Sequence, residues 1–432
     1  MRQLEKGSKK LQTAWAFYDW ANSVYPLVIS SSIFPIFYAS LFSDEFPTIN
    51  VFGIDFKNTA LISFVTAIAF LVVAIISPLL SGIADYVGNK KRFLQFFCYL
   101  GALSCIGLYW FSLENIYFGL LCYFLGLIGF WGSLVFYNSY LPDVAFEDQQ
   151  DKLSAKGYSL GYFGSVILLV VSLAIVIGKE GQDAMDAMRL TFVFTGLWWI
   201  LFSQYSFYFL PKGNKTNQKV TTSVLFNGFK ELREVKIQLF ENLALKRYLI
   251  SFFVYSMAVQ TVMLVATYFG EQEINWPSPS DKTMGLIISI LVIQLVAILG
   301  ATITSRASAK FGNIPTLIVL NIIWAVICVC AYFVTEPIHF YITAGFVGLV
   351  MGGIQALSRS TYSKFLPKTD DTTSYFSFYD VSEKIGIVIG MGIYGLIDQL
   401  TGNMRYSIVF LALFFIGGVL LLLRVPKKNV SN

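Results

Sequence analysis

The sequence predicts an all-helical, polytopic membrane protein of twelve transmembrane helices in two pseudo-symmetric six-helix bundles. Three observations carry this. Of 432 residues, 56% are hydrophobic and only 13% are charged, against about 25% charge in a soluble domain; mean hydropathy is +0.65. Apolar runs recur along the whole chain, each near the roughly 20 residues a helix needs to cross a bilayer. One long polar interval, 212–247, divides those runs six and six.

The expected spans are 14–41, 59–84, 93–113, 116–141, 155–178, 190–211, 248–271, 283–305, 314–334, 338–366, 374–399 and 405–424. An even number places both termini on one side. Of 31 Lys and Arg residues, the alternate, outer segments hold only Lys57, Lys179, Arg189, Lys282 and Arg405. Basic residues mark the cytoplasmic face, so both termini are expected there. The expected domains are 1–211, a linker at 212–247, and 248–432. The linker opens with a polar stretch, 212–219. It then sets Leu225, Phe229, Leu232, Leu239 and Leu243 at helical spacing among Lys230, Arg233 and Lys236, the pattern of an amphipathic helix on the inner membrane surface or of a solvated linker helix.

The five cysteines lie inside apolar runs and read as small buried hydrophobes rather than a disulfide framework. A single histidine, His339, excludes a multi-histidine metal site. The net charge of +5 follows from the one-sided placement of basic residues and is no sign of nucleic-acid binding. The polar, basic segment 1–13 lacks a signal-peptide cleavage pattern, so the first span is expected to stay as an anchor.

The first span opens with the stretch 15–26 (WAFYDWANSVYP). On a helix Tyr18, Asn22 and Tyr25 share a face, with Asp19 beside it. A polar stripe in lipid must face protein or water, so these residues are candidate liners. Asp19 is either a helix-start residue in the headgroup region or a titrating acid, with Lys156 a candidate partner.

Short strings repeat between the halves. After span two comes 81–92 (SGIADYVGNKKR) and after span eight 305–313 (SRASAKFGN). Leu-Pro closes spans four (141–142) and ten (366–367). Matched motifs in two six-helix halves mark a duplicated transporter fold with its solute site between the halves. The 81–92 stretch resembles the cytoplasmic loop motif of the major facilitator superfamily. The resemblance implies a gating latch built from Ser81, Gly82, Asp85, Gly88, Lys90 and Arg92. Ser81 departs from the usual glycine. Ala309 replaces the aspartate in the second copy, so only the first latch is expected to carry charge.

Span four ends with Asn138 near Tyr137 and Tyr140, and span five sets Tyr158 and Tyr162 on one face beside Gly157, Gly161 and Gly164. Rings with polar tips suit a polar organic solute, and they equally suit packing against glycine. Span ten carries Gly345, Gly348 and Gly352 on one face, which permits close helix contact, and continues through Gln355 to Arg359. Arg359 lies roughly 12 Å inside the helix end. It either snorkels to the interface or offers a planar fork to a carboxylate or phosphate. Span eleven brings Asp380, Glu383 and Lys384 into an apolar helix. Asp380 and Lys384, four apart, can pair. Glu383 is then a surplus acid, free to exchange protons or held in a structural network. Gln260 and Gln294 are lone amides that could line the path from the second half.

Taken with 157–164 (GYSLGYFG), 353–360 (GIQALSRS) and 378–384 (FYDVSEK), the first-span string resembles the vacuole-effluxer-like group of the major facilitator superfamily. Its eukaryotic members are autophagy-related amino-acid effluxers, and its bacterial members form an unknown major facilitator (UMF) family. The resemblance implies amino acids as candidate solutes and a compact version in the bacterial inner (plasma) membrane.

The expectation is therefore a proton-coupled secondary transporter of a small polar solute. Sugars, nucleosides, peptides, sodium coupling and a transporter-like sensor stand as alternatives. The proton-coupling or ion-pair residues would be Asp19, Asp380, Glu383 and Lys384. The solute-binding residues would be Tyr18, Asn22, Tyr25, Asn138, Tyr158, Tyr162, Gln260, Gln294, Gln355 and Arg359. No nucleotide-binding loop, catalytic constellation or metal spacing appears in the sequence. The chain is expected to be monomeric, without a cofactor, in contact with membrane lipids and no nucleic acid.

Overall fold

A computed structural model describes residues 4–42, 48–212 and 222–426. Eleven helical segments among these are long and apolar enough to cross a membrane. The twelfth, α14 (Thr372–Thr401), is 30 residues long, about 45 Å at 1.5 Å per residue. It carries Asp380, Glu383, Lys384 and Asp398.

The first span is not the single helix expected. α1 (Lys9–Asn22) gives way to a π-helical turn, Tyr25–Ser30, and then to α2 (Ile33–Ser40). Pro26 has no N–H to donate, so the α-helical ladder cannot run unbroken through it. A two-stranded hairpin that the periodicity did not announce follows, with β1 (Thr48–Val51) antiparallel to β2 (Ile54–Lys57). Its tip places Phe52 and Gly53 at φ +52° and +81°, the signs a tight two-residue hairpin requires.

The remaining helices are α3 (Asn58–Val87), α4 (Lys90–Gly107), α5 (Ile116–Ser139), the short α6 (Leu141–Val144), α7 (Glu147–Val176), α8 (Gly181–Phe209), α9 (Thr222–Glu241), α10 (Leu243–Glu273), α11 (Pro279–Phe311), α12 (Asn313–Ala331), α13 (Pro337–Phe365), α14 and α15 (Met404–Leu422). By contacts the chain forms two units: Met1–Tyr140 with Leu160–Gly228, and Leu141–Ser159 with Phe229–Asn432. The start of α7 thus packs with the second unit, and its remainder with the first.

Three helix pairings recur in both units. In the first, α1 lies on α8, α3 on α5, and α4 on α8. In the second, α10 lies on α15, α11 on α13, and α12 on α15. Glycine sets the closest approach. A Cβ at Gly348 or Gly352 of α13 would run into the backbone of α11 at Ile293 and Ala297, so these two positions are small because the helices approach closely there. Both repeated loops turn on a glycine in the left-handed region, Gly88 at φ +66° and Gly312 at φ +89°, where other residues are strained.

The linker helix is α9. Val235 and Leu239 form its buried face, and the side-chain oxygen of Gln238 accepts a hydrogen bond from Tyr375 at 2.8 Å. The apolar line expected from spacing is partly corrected. Leu239 turns into the second unit, whereas Leu243 is exposed and opens α10. The polar stretch 213–219 and the side chains of Leu225 and Phe229 lie outside the described residues. All five cysteines are free. Four are buried, but Cys330 is exposed, against the expectation, because it sits on the outward side of α12.

Candidate ion-coupling and solute site

Span eleven supplies the densest charge. On α14, Lys384 Nζ donates to Asp380 Oδ1 one turn earlier, as the spacing of four predicts. Both side chains are almost fully buried. The same ammonium lies 3.3 Å from Glu383 Oε2. Gln260 of α10 donates to Glu383 Oε1 at 2.6 Å. Glu383 is therefore not an acid without a cation of its own, as its sequence position implied. It shares Lys384 with Asp380, because the long lysine side chain reaches both neighbours. Asp380 Oδ2 is buried and makes no hydrogen bond among the described residues. One ammonium serving two carboxylates, with one carboxylate oxygen unsatisfied, is a pair-sharing arrangement whose balance a proton or a cation can tip. Glu383 retains 17% side-chain exposure, the most of the three.

Asp19 has a different setting. Its Oδ2 accepts from Tyr137 Oη at 2.7 Å. Trp15 donates through Nε1 to the Tyr137 carbonyl at 3.0 Å and stacks on its ring at 4.6 Å. Asp19 is 5% exposed and sits in the last turn of α1, not at a helix start. Tyr18, Asn22 and Tyr25 also lie inside the first unit, each no more than 1% exposed. Tyr25 stacks on Phe130 at 5.1 Å, and Tyr18 lies against Tyr137 at 5.0 Å. Neither phenol makes a hydrogen bond among the described residues. The stripe read from the first helix thus faces protein, and the rings pack as core.

Arg359 does not snorkel. It is 2% exposed, and its Nε and Nη2 donate to the hydroxyl and carbonyl of Ser154 at 2.9 and 3.1 Å. The guanidinium lies 4.2 Å from the centroid of the Tyr158 ring. The fork offered for a solute is held here by the start of α7. Tyr162, although on the same face of α7 as Tyr158, is buried in the first unit. Asn138, Gln260, Gln294 and Gln355 are half-buried. Gln294 Oε1 is buried without a hydrogen bond among the described residues. The structure brings Gln260 to Glu383.

The loop motif anchors its own unit. Ser81 donates to the Ser77 carbonyl at 2.6 Å. Lys90 donates to the Ser139 carbonyl at 3.0 Å, and Lys91 to that of Leu210 at 2.9 Å, so these cations cap the carbonyl ends of α5 and α8. Asp85 is half-buried and Arg92 exposed. The second copy corrects the expectation that it carries no charge. Asp151, at the start of α7, accepts from Lys364 Nζ at 2.7 Å, Ser308 Oγ at 3.0 Å and Asn313 Nδ2 at 3.0 Å. Sequence spacing had no means of finding this cluster, since Asp151 and Lys364 are 213 residues apart.

Two repeats with matched internal packing, together with polar clusters on otherwise apolar helices, define a transporter of the major facilitator class. Among solved structures, the fold is similar to that of the transporter FucP in its outward conformation (TM-score 0.71, 13% identity, covering 97% of this chain and 98% of that one). It is equally similar to the proton:xylose symporter XylE (TM-score 0.70, 13% identity, 97% and 96%). The family described as "Vacuole effluxer Atg22 like" matches residues 7–431. The MFS-type transporter YxiO of Bacillus subtilis strain 168 is 32% identical over 98% of this chain and 96% of its own. Autophagy-related protein 22 of Saccharomyces cerevisiae strain S288c is 27% identical over 87% and 78%. The chain belongs to the Atg22-like vacuole effluxer family. It is an integral membrane transporter and not an enzyme.

Proposed function

We propose that this protein is a proton-coupled secondary carrier of amino acids that works by alternating access in a bacterial plasma membrane, with both termini cytoplasmic. The single observation that supports coupling is the sharing of Lys384 between Asp380 and Glu383, with Gln260 holding the far oxygen of Glu383. Protonating either acid releases the lysine to the other, so proton binding and rearrangement of the cluster are linked. An amino acid offers a carboxylate and an ammonium, which a cluster of both signs can pair with in turn. The effluxer family and the bacterial relative support this choice of solute and membrane, and the one-sided Lys/Arg distribution supports the orientation.

Thermal-shift measurement of the purified protein with amino acids, peptides, sugars and nucleosides, at pH 5.5 and 7.5, tests the solute class, because a ligand that binds only the native state raises its apparent stability. Stabilisation by sugars or nucleosides alone would discard amino acids. Flux of the stabilising solute in proteoliposomes tests coupling. Glu383→Gln is expected to abolish transport driven by a pH gradient and to keep counterflow exchange. Retention of both would remove Glu383 from the coupling role.

A further inference from the structure

We infer that the β1–β2 hairpin is a lipid anchor. It lies along the bilayer surface where α3 begins, with the side chains of Phe52 and Ile54 in the lipid and its opposite face in water. The anchor is independent of solute and coupling ion. Directly opposed residues of an antiparallel pair share a face. Val51 stands opposite Ile54 and Ile49 opposite Phe56, whereas Asn50 stands opposite Asp55 and Thr48 opposite Lys57. One face is therefore apolar and the other polar. The four polar residues are all exposed, and Asn50 Nδ2 donates to Asp55 Oδ1 at 2.8 Å. On the apolar face Val51 is buried, but Ile54 is 59% exposed.

The turn adds a second, independent sign. Phe52 sits at φ +52°, a conformation that strains a bulky residue and that asparagine or glycine adopts readily. Its side chain is 84% exposed. Backbone strain that places a large apolar ring on the surface points to a use for the ring there. The ring lies 5.1 Å from that of Tyr117, and the Phe52 N–H donates to Tyr117 Oη at 3.2 Å.

The occupant is lipid because the apolar face continues surfaces that meet hydrocarbon. α3 has the length and hydropathy to cross the membrane. It presents Phe64, Ile68, Leu71 and Ile75, each more than half exposed, along one stripe. Phe56 packs edge-on against Phe64, the first of that stripe, at 6.1 Å. Tyr117 stands in the first turn of α5 and is half exposed; an apolar ring with a polar tip is typical of the membrane–water boundary. Ile54 and Phe52 thus prolong the lipid-facing surface of this unit. Asp55 and Lys57 cancel in charge, so burial of apolar groups, rather than attraction to charged headgroups, seats the hairpin.

The test places a nitroxide on the full chain carrying Cys330→Ser, the other four cysteines being buried. Phe52→Cys, Ile54→Cys, Thr48→Cys, Lys57→Cys and, as the lipid reference, Leu71→Cys are labelled singly. Each is studied in phosphatidylcholine nanodiscs holding one copy. Collisions with oxygen, which concentrates in lipid, are compared with collisions with a water-soluble nickel complex. The labels at 52 and 54 are expected to shift to the oxygen-dominated ratio found at 71, and those at 48 and 57 to stay nickel-dominated. A second measurement needs no label. Ile54→Ser is expected to raise hydrogen–deuterium exchange over 49–57 about tenfold, the factor for withdrawing one large aliphatic side chain from an apolar setting, and Ile54→Leu to leave it unchanged. Nickel-dominated labels at 52 and 54 would put the hairpin in water. Labels there that neither reagent reaches would mean that protein covers it. An oxygen-dominated ratio found only in discs holding two copies would assign the face to a second copy. Each of these outcomes, or unchanged exchange in Ile54→Ser, overturns the anchor.

Discussion

Tyr137 and Asp19 are joined by a 2.7 Å hydrogen bond between α5 and α1, with the phenol donating to a carboxylate that is almost fully buried. Trp15 holds Tyr137 from the other side, through its indole N–H and its ring. Three residues of the most recognisable string in the sequence and its partner helix thus form one unit of structure.

Tyr137→Phe keeps the stacked ring and removes the donor to Asp19. The expected cost is about 1.5–3 kcal/mol, the range for a hydrogen bond to a charged group. It is read as a lower unfolding temperature in detergent, and Tyr137→Phe together with Asp19→Asn is expected to cost less than the sum of the singles. Additive effects would show that the two side chains are not coupled.

Lys384→Met leaves the buried Asp380 and the half-buried Glu383 without the ammonium they share. Breaking a buried pair in this way costs about 3–5 kcal/mol. Combining it with Asp380→Asn is expected to recover a large part of that loss. Equal melting temperatures for the wild type and Lys384→Met would contradict the pairing.

Arg359→Lys preserves the charge and loses the fork. A lysine cannot place two donors on Ser154 while lying flat on Tyr158. The expected loss is about 2 kcal/mol, one or two hydrogen bonds from a charged group, close to that of Arg359→Ala in chemical unfolding. Full retention of stability by the lysine variant would mean that charge alone matters there.

Gly352→Ala pushes a methyl group into the α11 backbone at Ala297 and is expected to destabilise by about 1–3 kcal/mol. Gly392→Ala on α14 meets nothing within 4 Å and is expected to be neutral or slightly stabilising. The yield of monodisperse protein and its melting temperature separate the two.

The helical, many-times membrane-spanning character of the chain was legible because hydropathy and spacing are local properties. Gly348 and Gly352 were legible for the same reason, since a face of small residues is visible in the string itself. The Asp380–Lys384 pair followed from helical spacing alone. The break at Pro26 was less so: proline announces the loss of one hydrogen bond, but not that the chain would answer with a π-helical turn. The hairpin at 48–57 escaped because its four-residue strands carry little periodic signal.

The candidate site was read less well, and the misses share one cause. The polar face of the first helix was identified correctly as a face. Whether Tyr18, Asn22 and Tyr25 meet solvent or protein depends on α5 and α8, which the string cannot position. Arg359 looked available because Ser154 and Tyr158 lie about two hundred residues away. Asp151 escaped for the same reason, its partner Lys364 lying 213 residues away.

The sequence by itself determined that this chain crosses the membrane many times, that it is a duplicated six-helix design, and which residues bring charge into lipid. Those properties arise from the cost of placing polar groups in hydrocarbon, which each segment meets on its own. Only the tertiary structure decided the remote partners: Gln260 on Glu383, Tyr137 on Asp19, Ser154 on Arg359, Lys364 on Asp151. A buried charge is stable only with specific neighbours at hydrogen-bonding distance. Apart from the helical pair on α14, those neighbours come from elements remote in sequence, brought together by packing.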